Sequence, residues 1–143
     1  QKDCIGNVLS ERPDLNRDLG LGRMVSKQKD CIGNVLSERP DLNREDGLRL
    51  VGFRPVDRAE SLTAGAHFLQ RGSAATTEND EGWMTSVTYS PSLGHSIGLG
   101  FIKRGEARGG EIVRAMDFVR GKEIAVEIVS PHFIDPEGER LRV

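Results

Sequence analysis

The sequence predicts an all-β fold, a barrel or a sandwich, entered through an arm of different character, and three observations carry that expectation. From Leu48 onward the apolar residues stop recurring at helical spacing and begin to alternate. Gly and Pro break the alternation into six short segments, a pattern of closely spaced strands joined by turns. With 143 residues, 36% of them apolar and 29% charged, the chain has material for one ordinary hydrophobic core.

The arm comes first. Residues 1–17, QKDCIGNVLSERPDLNR, recur letter for letter at residues 28–44. Evolved repeats keep their apolar positions and drift elsewhere, and a solenoid needs at least three units to bury a continuous core, so the identical pair reads as a cloning duplication. Residues 30–42 offer a capping acid at Asp30, an apolar stripe at Ile32, Val35 and Leu36, and a stop at Pro40, which predicts a short helix. Polar residues 43–47 then form a linker, so the arm spans residues 1–47 and the β domain residues 48–143.

The predicted strands are residues 48–55, 66–69, 83–90, 96–103, 111–115 and 122–129. In the last, Ile124, Val126 and Ile128 share one face, while Ala125, Glu127 and Val129 share a face that is at least partly wet. The acidic stretch ENDEG at residues 78–82 carries turn formers and predicts a solvated hairpin loop. Gly98 and Gly100 weaken the strand that holds them, and this predicts a close neighbour packed against its backbone. Residues 105–110 read as a plain inter-strand turn, and the polar residues after Phe133, with Pro131 and Pro136, as an extended surface tail.

A net charge of −2 and a pI near 6.0 leave no basic footprint for nucleic acid. No window has the apolar length that crossing a bilayer requires, and the first residues lack the apolar run of a signal peptide, so a cytoplasmic setting without membrane contact is expected. Cys4 and Cys31 sit in the same CIG context and read as small apolar residues. His67, His95 and His132 lie in different segments without metal-ligand spacing, and no metal site is predicted. Ser86, Ser90 and Ser92 surround Pro91 outside any nucleophile elbow, with Ser90 placed to start a turn. Neither LGLG nor GEARGG forms a phosphate-cradling motif. Trp83 and Tyr89 are the weak candidates for a flat binding surface against a ring or a partner subunit, with core packing of Trp83 the alternative.

The stretch GWMTSVTYSPSLGHSIGLGFI at residues 82–102 contains a Thr-Ser pair, a Ser-Pro-x-Leu turn and an alternating apolar strand. In that order these elements resemble the C-terminal barrel domain of the folate-dependent aminomethyltransferases. Adding DCIG, SERPDL, RLVGF and HFIDPEGERL, residues 19–143 are similar to the tail of the alpha subunits of heterotetrameric sarcosine oxidases. The resemblance implies a six- to seven-stranded antiparallel Greek-key-like barrel. It also implies a fragment that helps close a tetrahydrofolate chamber, in an enzyme that oxidises sarcosine to glycine and methylene-tetrahydrofolate. In the family the catalytic acid and most folate contacts lie in a larger N-terminal half, and FAD, FMN and NAD belong to other parts of the complex. No catalytic residue, no metal and no cofactor of its own are therefore expected in this chain, whose partners would be that missing half and the other subunits. Gly138 and Glu139 stand where glycine-cleavage enzymes carry an aromatic pair. A glycine-cleavage aminomethyltransferase domain and a stand-alone β-barrel interaction module are the alternative readings.

Overall fold

The computed structural model describes residues 18–20, 39–40 and 44–142. Six strands, β1 (Leu48–Pro55), β2 (His67–Leu69), β3 (Asp80–Ser90), β4 (His95–Lys103), β5 (Ile112–Asp117) and β6 (Lys122–Val129), close into a barrel in the order β1-β4-β3-β2-β5-β6. Every pairing is antiparallel, and β6 returns beside β1 to close the ring. The fold is thus the expected barrel. Tight hairpins join β3 to β4 and β5 to β6, whereas β1 to β2 and β4 to β5 cross the barrel. Because β1 and β4 are antiparallel neighbours, these two crossovers span opposite ends.

Closure buries a compact apolar interior. Phe53 stacks on Phe68 with ring centroids 4.0 Å apart, and Val113, Val126 and Ile128 pack around them. Rings of that size fit only because β4 turns glycines inward. A Cβ on Gly100 would lie 2.6 Å from the Trp83 carbonyl oxygen and 3.0 Å from Cε2 of Phe53. One on Gly98 would lie 2.8 Å from Sδ of Met84. The close neighbour expected from those glycines is therefore the barrel's own core. At one end Leu62, from the β1 to β2 crossover, reaches in toward Gly98.

The other end is held by arginines. Arg49, almost fully buried, donates to Asp18, to the Leu48 carbonyl and to the Arg44 carbonyl at 3.0, 2.7 and 3.0 Å. Arg108, on the 3₁₀ turn Gly105–Arg108 that replaces the expected plain turn, bridges Glu81 at 2.8 Å and Glu111 at 2.7 Å. The hydrogen bond from Arg108 holds the Glu111 carboxyl below its ordinary range, and Glu111 in turn raises Arg108.

Boundaries expected for β1 and β6 are met residue for residue. The acidic stretch before β3 differs from its expected loop. Thr77–Asn79 forms a 3₁₀ turn, and Asp80 and Gly82 already pair with Leu69 and Phe68 of β2. Two acidic residues and a glycine enter the sheet because each finds a donor or a close fit. Asp80 meets His67, Glu81 meets Arg108, and Gly82, at φ 150°, sits where a Cβ would overlap the Phe101 carbonyl. β5 runs on to Asp117, whose carboxylate accepts the Val119 and Arg120 amides at 3.0 and 3.1 Å and ends the strand in a tight turn. The tail is also less extended than expected. Phe133 folds back over Gly52, and the Asp135 carboxylate accepts the amides of Glu139 and Arg140, ordering the 3₁₀ turn Glu139–Leu141. Residues 1–17, both cysteines and most of the helix expected over residues 30–42 lie outside the described residues.

Candidate functional site

Strand β4 is built inside out. Its inward row is Gly98, Gly100 and Ile102, and its outward row is Ile97, Leu99 and Phe101, all half-buried. A β-bulge on the neighbouring β3 sets which side chains join that outer face. Pairing shifts between Met84 and Ser86, so Thr85 is the extra residue and its hydroxyl donates to the Leu99 carbonyl at 3.0 Å. The Thr-Ser pair of the sequence fingerprint is this bulge, and a one-residue insertion leaves no periodic trace until the register is known.

Beside β4 lies an open groove of about 890 Å³ whose floor includes Leu50, Leu99 and Val129. Leu19, Pro131 and His132 stand along its sides, with Glu106 adding a carboxylate. Such a surface suits packing against another apolar surface better than bond-making chemistry. Among the described residues no cluster of three His, Cys, Asp or Glu side chains is placed to hold a metal ion.

Trp83 and Tyr89 both lie on β3, but the structure does not bring them together. Trp83 pairs with Phe101 and Tyr89 with Ser96, and an odd offset of five along β4 sends the two rings to opposite faces. Trp83 is 41% exposed, so it packs on the outside, tilted against Phe101 at 6.1 Å, and not in the core. Tyr89 is 61% exposed beside the β3 to β4 turn. That turn starts at Ser90 and closes through the Gly94 amide donating to the Ser90 carbonyl at 2.8 Å, a main-chain bond. His95 is buried there with Nδ1 2.8 Å from the Ser96 carbonyl, and His132 borders the groove.

His67 has a more organised setting than its sequence context suggests. Its Nδ1 lies 2.8 Å from Oδ2 of Asp80, and Phe118 presents its ring edgewise at 5.9 Å. The two partners are 13 residues apart and meet only through the β2 to β3 pairing. Reading residues 78–82 as loop hid the pair. The one available signal was an Asp shortly before an alternating strand, with a His in the strand that precedes it.

Residues 49–135 match the glycine cleavage T-protein C-terminal barrel domain family. Sarcosine oxidase subunit alpha of Rhizobium meliloti (strain 1021) is 42% identical over 127 residues, which is 88% of this chain and 13% of that protein. Sarcosine oxidase subunit alpha of Corynebacterium sp. (strain P-1) is 39% identical over 93 residues, 64% of this chain and 9% of the relative. The chain thus spans a small fraction of the length of these relatives. Among solved structures, a glycine cleavage system aminomethyltransferase T from Bartonella henselae has the same fold, with a TM-score of 0.64 and 22% identity over 84% of this chain and 32% of that one. The chain belongs to the glycine cleavage T-protein C-terminal barrel family.

Proposed function

We propose that this member of the barrel family is the C-terminal barrel of a sarcosine oxidase alpha subunit, closing one side of a tetrahydrofolate chamber while sarcosine is oxidatively demethylated to glycine and methylene-tetrahydrofolate. The observation that carries the reading is the half-buried outward apolar row of β4 beside the open groove, a face suited to packing against a further apolar surface. Similarity to two proteins named as sarcosine oxidase alpha subunits supports the choice of enzyme. Their remaining length would supply what covers the face.

In this reading the barrel packs, shapes and excludes water. Leu50, Leu99 and Val129 would form an apolar wall, a fit to the back of a chamber and not to the reacting ring. Tetrahydrofolate, when bound to the whole subunit, supplies the one-carbon acceptor, and FAD, FMN and NAD would serve other parts of the complex. The partners are the remainder of the alpha subunit and the other subunits.

Two measurements test this. The isolated chain is expected to show neither tetrahydrofolate binding nor sarcosine oxidation, and robust turnover without other subunits would overturn the assignment of a non-catalytic wall. In a full-length alpha subunit, Leu99→Glu on the outer face is expected to cut assembly or folate-dependent product formation sharply. An unimpaired L99E enzyme, together with an isolated chain that stays a monodisperse monomer by light scattering, would favour a stand-alone interaction module.

A further inference from the structure

A second part of the outer surface, around β2 and the β5 to β6 turn, carries a more specific arrangement. One cross-strand row runs Leu50, Phe101, Trp83, His67, Met116 and Glu123, each directly opposite the next. Antiparallel partners share a face, so aromatic rings follow one another around the outside of the barrel. The β5 to β6 turn sets Phe118 against His67, and this ring is 52% exposed. It is not a frayed tip. The buried Asp117 carboxylate holds the turn through the Val119 and Arg120 amides and also accepts from Arg120 Nη1 at 2.9 Å.

The His67 ring has one defined state when neutral. Asp80 accepts only, so the proton of a neutral imidazole sits on Nδ1 and the lone pair on Nε2. The second oxygen of Asp80 accepts the Gly82 amide at 3.1 Å, which fixes the carboxylate in turn. Among the described residues no donor reaches Nε2. The His67 ring borders a groove of about 460 Å³ lined also by Leu69, Thr76, Thr77, Asp80 and Phe118. That size falls within the usual range for small-molecule sites.

We propose that this groove binds a planar heteroaromatic molecule bearing a ring N–H. The ligand's N–H donates to Nε2 of His67, its ring packs against the exposed Phe118 ring, and the Thr76 and Thr77 hydroxyls pair with its rim heteroatoms. The sole carboxylate in the lining, Asp80, is bonded to His67 and Gly82 and disfavours an anion. The inference stands apart from the folate reading, since its lining comes from β2, the start of β3 and the adjoining turns and includes none of the residues of the β4 groove.

The test uses the whole chain and a matched pair of probes, benzimidazole and 1-methylbenzimidazole, which differ in the one N–H at issue. Trp83, the only tryptophan, lies directly opposite His67 and reports by its fluorescence, while ring ¹⁵N shifts report His67 itself. Benzimidazole is expected to bind saturably and move the Nε2 resonance, with the methylated probe weaker by about tenfold, the worth of one lost hydrogen bond. Phe118→Ala is expected to weaken benzimidazole by a similar factor, and His67→Ala to remove the preference between the probes. No saturable response to benzimidazole, or equal affinity for the two probes in the unaltered chain, would overturn the proposal. The second result needs no variant, so a misfolded mutant cannot obscure it.

Discussion

Strands β4 and β6 belong to one barrel and both flank β1, yet they distribute their side chains in opposite ways. β6 turns Ile124, Val126 and Ile128 inward and offers Glu123, Ala125 and Glu127 to the outside, the arrangement of a strand whose far face meets water. β4 turns two glycines inward and carries Ile97, Leu99 and Phe101 on its outer face. The contrast separates two uses of the same geometry. Most of the outer row of β6 is polar and meets water, with Val129 at the groove as the exception, whereas the outer row of β4 is apolar and half-buried. Phe133 and Pro131 of the tail and Leu19 of the arm lie along that side and supply part of the cover.

The sharpest way to break the comparison is to cut each strand on its inner side. Ile128→Ala on β6 removes a fully buried side chain and should cost about 3 kcal/mol in urea unfolding. A loss under about 1 kcal/mol would mean that the interior tolerates voids and the inner row of β6 is not the specified one. Gly100→Ala on β4 tests the converse. Adding a methyl to an open strand usually stabilises slightly, but here the new Cβ would meet the Trp83 carbonyl at 2.6 Å, and a loss of about 2 kcal/mol is expected. A more stable G100A protein would show that the glycines leave slack.

Outside the barrel, Phe101→Ser should cost the isolated chain only about 1 kcal/mol while visibly reducing its binding of an apolar dye or its self-association by light scattering. A large stability loss with unchanged surface behaviour would place Phe101 in the core and erase the distinction between the two strands.

Two electrostatic effects come last in size. Glu111 is held below its ordinary range chiefly by the hydrogen bond from Arg108, so its ionised form is favoured in the folded state. That contribution is complete above the ordinary glutamate value of 4.5 and is lost as pH falls through the lower folded value. The melting temperature should therefore fall more steeply on acidification in the unaltered chain than in Glu111→Gln, modestly so because the carboxylate is partly solvated. Parallel pH profiles would detach Glu111 from Arg108. Arg54→Ala, on the wet side where β1 meets β6, removes a two-point pair with Glu127 at 2.9 and 3.0 Å. Its expected cost is under about 1 kcal/mol by thermal melting, and a value near that of I128A would show that this face is not freely solvated.

Much of the barrel was legible before its coordinates in space were known. β6 declared itself because apolar and polar residues alternate without interruption, and β1 because Gly and Pro bracket an apolar run. The paired glycines of β4 correctly signalled a close neighbour. Alternation alone, though, marks two faces without saying which looks inward, and on β4 the bulky row is the outer one. Asp80 and Glu81 looked like loop residues since their partners, His67 and Arg108, are distant in sequence. Trp83 and Tyr89 looked like neighbours, and the bulge at Thr85 sends them to opposite faces.

Local chemistry, then, was enough to specify how many strands there are and the bounds of β1 and β6, because periodicity and turn residues act within a few positions along the chain, while the family was legible as a resemblance of motifs. Ring closure decided the rest. Which glycines make room for Phe53, how β4 faces outward, and how a histidine, an aspartate and a phenylalanine from three elements converge beside one groove all depend on cross-strand register, a long-range quantity that no single segment encodes.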